Sequence, residues 1–152
     1  MKDKNLIIAF LAICLVISLI YIFAIRKSAA AIDNLAKSQV EYSEIARSFI
    51  LEYNNMYRDQ EHSDMSNLQN MCTEELWENY FKEIQPSSEL PEKLEKNINN
   101  IEDIVCQVAI DGAKVVVHGT QSFEYTSYRF VYLVQINADK KVSAFNILTY
   151  SD

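Results

Sequence analysis

IEDIVCQVAIDGAKVVVHGT, residues 101–120, decides how the chain folds. β-Branched and apolar residues run on both sides of Asp111-Gly112, and a short turn pair between such runs is the strongest local signal for a β-hairpin. The same chemistry continues to the C-terminus, which predicts strands over 101–110, 113–125, 128–137 and 140–150. With Asp111-Gly112, Thr126-Ser127 and Ala138-Asp139 read as two-residue turns, the registers agree with one another in a meander. One face then carries Ile104, Cys106, Val108, Val115, Val117, Phe123, Tyr125, Tyr128, Phe130, Tyr132, Val134, Ile136, Phe145 and Ile147. A slip of one residue would turn a whole strand over, so this agreement supports the order one-two-three-four. Gly119 interrupts the second strand, where a bulge or bend lets a sheet curl.

Upstream of the strands the pattern is helical. Neither Gly nor Pro occurs before Gln85, and Tyr42, Ile45, Ala46, Phe49, Tyr53, Met56 and Tyr57 recur at spacings of three and four. That spacing marks one buried helical face, running to the polar break at residues 58–64. A further helical region starts near Asp64. Thr73 followed by Glu74-Glu75 reads as an N-cap with acids at the positive end of the helix dipole. Leu76, Trp77, Tyr80, Phe81 and Ile84 form an apolar stripe that stops at Pro86, and residues 87–100 read as a polar connector. The fold class expected is α+β: an N-terminal transmembrane helix, then helices packed on a curled four-stranded antiparallel meander.

LIIAFLAICLVISLIYIFAI, residues 6–25, contains no charge. Twenty residues at 1.5 Å each span about 30 Å, the hydrocarbon thickness of a bilayer. Signal peptides have shorter apolar cores followed by a small-residue cleavage site, whereas Arg26-Lys27 here precede the run of alanines. The segment is therefore expected to be an uncleaved single-pass anchor in the cell membrane, with residues 1–5 as a short cytoplasmic tail, 26–40 as a juxtamembrane stalk and 41–152 as the α+β domain. Ile32, Leu35 and Ala36 give the stalk heptad-like positions, consistent with weak self-association or with a solvated spacer. Lys2 and Lys4 on one flank nearly cancel Arg26 and Lys27 on the other, so charge counting leaves the orientation open.

Those four residues take fourteen Lys/Arg down to ten, against twenty of the twenty-one Asp/Glu once Asp3 is set aside, so the chain after the anchor is strongly acidic. Such a surface repels phosphate backbones, and no basic stripe offsets it; direct nucleic-acid binding is not expected. Cys72 and Cys106 are compatible with two buried thiols or one bridge, and the lack of a CxxC pair favours free thiols. His62 lies in the polar break and His118 on the outward side of the second strand, so neither supplies a base or metal ligand. No paired carboxylates and no phosphate-binding glycine loop occur, and no catalytic residue, metal or cofactor is expected.

The outward side of the sheet carries the candidate protein interface, Val131, Leu133, Val142, Ala144 and Leu148. An antiparallel face open to water usually alternates more cleanly than this, so the patch is expected to receive a partner or a packing element. Glu124 and Arg129 are expected to pair across the second hairpin. A second candidate lies on the concave side, where Tyr125, Tyr128 and Tyr132 would line a small-ligand or lipid cavity.

The order of elements, with SDMSNLQNMCTEELWENYFKEI as the second helical region and FVYLVQINADKKVSAFNIL closing the meander, resembles the cone-shaped nuclear transport factor two-like, or cystatin-like, fold. With its single anchor the chain is similar to the bitopic assembly components of bacterial type IV secretion systems, notably those of Gram-positive conjugation. The resemblance implies an extracytoplasmic C-terminal domain, no catalysis, and a scaffold role in a homo-oligomer and with other membrane-complex subunits of a secretion or conjugative transfer channel. It carries over no individual site residue.

Overall fold

In a computed structural model, which describes residues 2–55, 65–82, 97–123 and 126–151, the chain forms two compact units, Met1–Lys37 and Ser38–Asp152. Helix α1 (Lys2–Asn55) is 54 residues long and contributes to both. In the first unit it is a bare helix. Its hydroxyls turn back on its own backbone: Ser18 donates to the Cys14 carbonyl at 2.8 Å and Ser28 to that of Ala24 at 3.0 Å, which satisfies polar groups in an otherwise apolar run. This helix is long and apolar enough to cross a membrane.

In the second unit the strands form one antiparallel sheet in the order β1 (Asn97–Ala109), β2 (Gly112–Phe123), β3 (Thr126–Asn137), β4 (Val142–Ser151). α1 lays Tyr42, Ala46, Phe49, Ile50 and Tyr53 into its core, with Val115, Val117, Phe130, Tyr132, Val134, Ile136 and Phe145 supplied by the sheet. Removing each large side chain from water stabilises by about 1.5–3 kcal/mol. Met56 and Tyr57, expected on the same helical face, lie outside the described residues.

The polar residues after the break fold as anticipated around Thr73. Helix α2 (Ser66–Met71) buries Leu68, and Thr73 caps the short helix α3 (Glu74–Leu76) by accepting the Leu76 amide at 3.3 Å. The chain then widens into a π-helical turn, Trp77–Phe81, in which the Lys82 amide reaches the Trp77 carbonyl at 2.9 Å. Phe81 is buried against Phe49, with ring centroids 6.0 Å apart, and Tyr80 stays partly exposed. Ile84 and Pro86 fall outside the described residues. One link between this region and the sheet is a parallel bridge from Cys72 to Val142, where the Thr73 amide donates to the Val142 carbonyl at 2.8 Å.

The three turns differ from the sequence expectation. Ala109 faces Gly112, so the first loop is Ile110-Asp111 and Gly112 opens β2 with φ of 142°. A Cβ there would stand 1.9 Å from the Ile136 carbonyl oxygen, which is why the position takes glycine. Phe123 faces Thr126, moving the second turn two residues toward the N-terminus, and Arg129 therefore faces Thr120 rather than Glu124. Both pairings slip by an even number of residues, so the expected inward residues described in β1, β2 and β3, such as Val115, Val117, Phe130, Tyr132 and Val134, stay inward. The third turn is longer: the Lys140 amide donates to the Asn137 carbonyl at 3.1 Å and the Asn137 amide to the Lys141 carbonyl at 2.9 Å, leaving Ala138, Asp139 and Lys140 in the loop. Lys140 adopts a left-handed φ of 63°, as three-residue hairpins with a bulge require.

The odd length has a consequence in β4. Val142, expected on the outward face, pairs with Ile136 and is fully buried; an irregularity at Ser143 then restores the expected phase, with Ala144 opposite Gln135 and Phe145 opposite Val134. A second irregularity at Leu148 sets Thr149 opposite Val131. The bulge anticipated at Gly119 sits on the partner strand instead, at Glu102. Gly119 faces Phe130, and a Cβ there would come within 2.5 Å of that ring and 2.4 Å of the Asn100 carbonyl oxygen. Glycine thus lets β1 and the Phe130 ring close over β2.

Candidate docking face

Alternation along β1, β2 and β3 places one row of apolar side chains across the outward side of the sheet: Val105 faces Val116, and Val116 faces Leu133. Val105 is 56% exposed, and Val116 and Leu133 are half-buried by their neighbours. The next row toward the opposite end of β3 is Asp103, His118, Val131 and Thr149. Leu148, pushed out by its bulge, is 54% exposed. Four of the five residues anticipated for this face, Val131, Leu133, Ala144 and Leu148, are half-buried or exposed; Val142 belongs to the core.

On the other side of the apolar row lies a depression of about 460 Å³ near the first turn. Gln107, Lys114, Gln135 and Ser143 line it, with Asp111 and Asn137 at the turn end. Gln107 faces Lys114, Lys114 faces Gln135, and the Ser143 hydroxyl donates to the Gln135 carbonyl at 3.3 Å. An apolar strip beside a mixed, cation-bearing hollow makes this face the candidate for docking, since protein interfaces pair a dry centre with a hydrogen-bonding rim. Sequence reasoning placed Val116 on the outward face but did not count it, or Val105, among the candidate interface residues. Their signal was the alternation itself, since Val105 lies between the inward Ile104 and Cys106.

His118 is exposed and faces Asp103 across the strands. That pair lies at the open surface, where Asp103 already accepts the Ile104 amide at 2.9 Å. Among the described residues no group of three or more His, Cys, Asp and Glu is placed to hold a metal ion. His62 lies outside the described residues.

The concave side is packed. Tyr132 is 1% exposed, stacked on Phe130 at 4.5 Å, with Tyr53 at 5.8 Å and Phe145 at 5.3 Å, and its hydroxyl donates to Asn54 Oδ1 at 3.4 Å. Tyr128 is half-buried opposite Gln121, and Tyr125 lies outside the described residues. Two polar residues join this core: Gln121 donates through Nε2 to the Asn54 carbonyl at 3.5 Å.

Compared with protein-family models, with curated proteins and with solved structures, the chain matches none.

The cysteines are free. Cys72 lies beneath the α2–α3 junction, and burial pushes its thiol up to about 12, against a smaller opposing pull from Lys141. Burial also raises the Cys106 thiol, opposed by the Ser43 hydroxyl and Lys140. Neutral thiols of this kind are inert packing groups rather than nucleophiles. Lys140 ties the third turn to α1: its ammonium lies 3.0 Å from Glu41 Oε2 and 3.5 Å from the Tyr42 ring centre. Partial burial works against its charge, but the contacts with Glu41 and Tyr42 outweigh it and raise its pKa.

Proposed function

We propose that the chain is a non-catalytic, membrane-anchored assembly component, of the kind that builds bacterial secretion or conjugative transfer channels. α1 holds the domain at the cell membrane in a single pass, the domain stands outside the cytoplasm, and the outward face of the sheet docks on neighbouring subunits. The observation that carries this reading is the Val105–Val116–Leu133 row, an apolar strip across a sheet face that no described element covers, on an acidic chain. Contiguous apolar surface bordered by polar groups costs solubility and is characteristic of surfaces that are covered in the working assembly. The order of elements, one long helix and then small helices on a four-stranded meander, supports the likeness to the nuclear transport factor two-like assembly proteins.

Leu133→Asp and Val131→Lys test it. Both side chains lie on the outward face, so each variant should keep the parent's circular dichroism and melting behaviour while the complex extracted in mild detergent becomes smaller in sedimentation velocity. Extracted complexes of unchanged size in both variants would place the docking surface elsewhere.

A further inference from the structure

We propose that the juxtamembrane part of α1, from Ile25 to Ser38, pairs with the same segment of a second copy as a short parallel two-helix coil. The inference rests on the membrane anchoring proposed above but not on the outward sheet face, which is a different surface. With Ile25 taken as position a of a heptad, Ile32 is the next a, and Ser28 and Leu35 are the d positions. Ile25, Ile32 and Leu35 are 51%, 69% and 48% exposed. The flanking e and g positions hold Ala29, Ala31, Ala36 and Ser38, small enough for close approach, while Arg26, Lys27, Asp33 and Lys37 all fall at b, c or f. Asp33 and Lys37 pair with each other at 2.7 Å, on the side away from the seam. A seam without charge, on a chain of net charge −7, is a surface on which two identical copies meet without repulsion.

The geometry selects the occupant. Two copies anchored in one bilayer by the same N-terminal helix run in the same direction, so their stalks can meet only in parallel, and Ile at a with Leu at d favours two strands in a parallel coil. The seam has a defined end. Gln39, at the next a position, donates through Nε2 to the Cys106 carbonyl at 3.4 Å, and the following core positions Tyr42, Ala46, Phe49 and Tyr53 are buried in the sheet domain. About two heptads are too short to associate in water unaided. Confinement to a membrane removes part of the rotational and translational cost and makes so short a seam sufficient.

The test is cysteine crosslinking in the full-length chain, carried in a Cys14→Ala background because Cys14 falls at d in the same register. Ile32→Cys and Leu35→Cys are compared with Asp33→Cys and Lys37→Cys in carbonate-washed membranes treated with copper phenanthroline, reading dimer on non-reducing gels. The pair predicts dimer several-fold faster at the first two positions, and a drop of Ile32→Cys to the rate of Asp33→Cys when Leu35→Lys is added. Equal rates at all four positions, no dimer at any, or adducts formed only with a different protein would overturn it. A chain released by the carbonate wash would overturn the anchor together with the pair, whereas a retained chain that fails to crosslink overturns the pair alone.

Discussion

Lys140 and Gly112 show how single residues set the pairing of whole strands. Each holds a backbone angle that side chains rarely adopt, 63° and 142°, and each fixes the length of the loop beside it. Asp111-Gly112 was legible as a turn signal, but the glycine serves as the first residue of β2, where the Ile136 carbonyl leaves no room for a Cβ. Lys140 gave no such signal, because its left-handed turn is held by contacts with Glu41 and Tyr42, far away in sequence. Cys72 offers a test at this scale. Its folded-state thiol is raised to about 12 from the usual 9.0, so its contribution to stability is complete below about pH 9 and is lost as the pH rises through that window. The stability gap between the parent and Cys72→Ala, measured by urea unfolding, should therefore hold up to about pH 9 and narrow above it, by at most about 1.4 kcal/mol per pH unit. A gap that holds constant would mean that the thiol is hydrated.

At the scale of the elements, period and phase behave differently. The helical face of α1, the cap at Thr73 and the inward identity of Val115, Val117, Phe130, Tyr132 and Val134 could all be read from spacing, because burial imposes a period on the sequence. Loop position could not, since two registers that differ by an even slip bury the same side chains. The odd third loop was the exception that changed a face, taking Val142 into the core and out of the candidate docking surface. Val142→Asp should cost more than about 4 kcal/mol and abolish the cooperative melt, because it buries an unpaired carboxylate. Ala144→Asp, two residues on and on the outward side, should stay within about 1 kcal/mol of the parent. Melting curves that rank the two the other way would contradict the observed phase of β4. The outward apolar row was only half legible for a related reason: Val105 and Val116 join Leu133 through the register, not through anything local.

The whole molecule combines a helix able to span a bilayer with an acidic α+β unit whose interior is filled and whose sheet, among the described residues, carries helices on one side. The orientation of that unit separates the assembly reading from a cytoplasmic role, and Ile110, fully exposed at the tip of the first turn, provides a handle. In intact cells Ile110→Cys in a Cys106→Ala background should react with a membrane-impermeant maleimide, while the same background without Ile110→Cys, its Cys72 buried and protonated, should remain unlabelled until it is denatured. The claim that the outward face docks is tested most directly by a photo-crosslinking amino acid at Val116, the middle of the apolar row, activated in living cells. The account predicts a small number of defined adducts, with a second copy or another membrane subunit, that disappear when Leu133→Asp is introduced. Adducts that persist unchanged in that variant, or no adduct at Val116 at all, would contradict it.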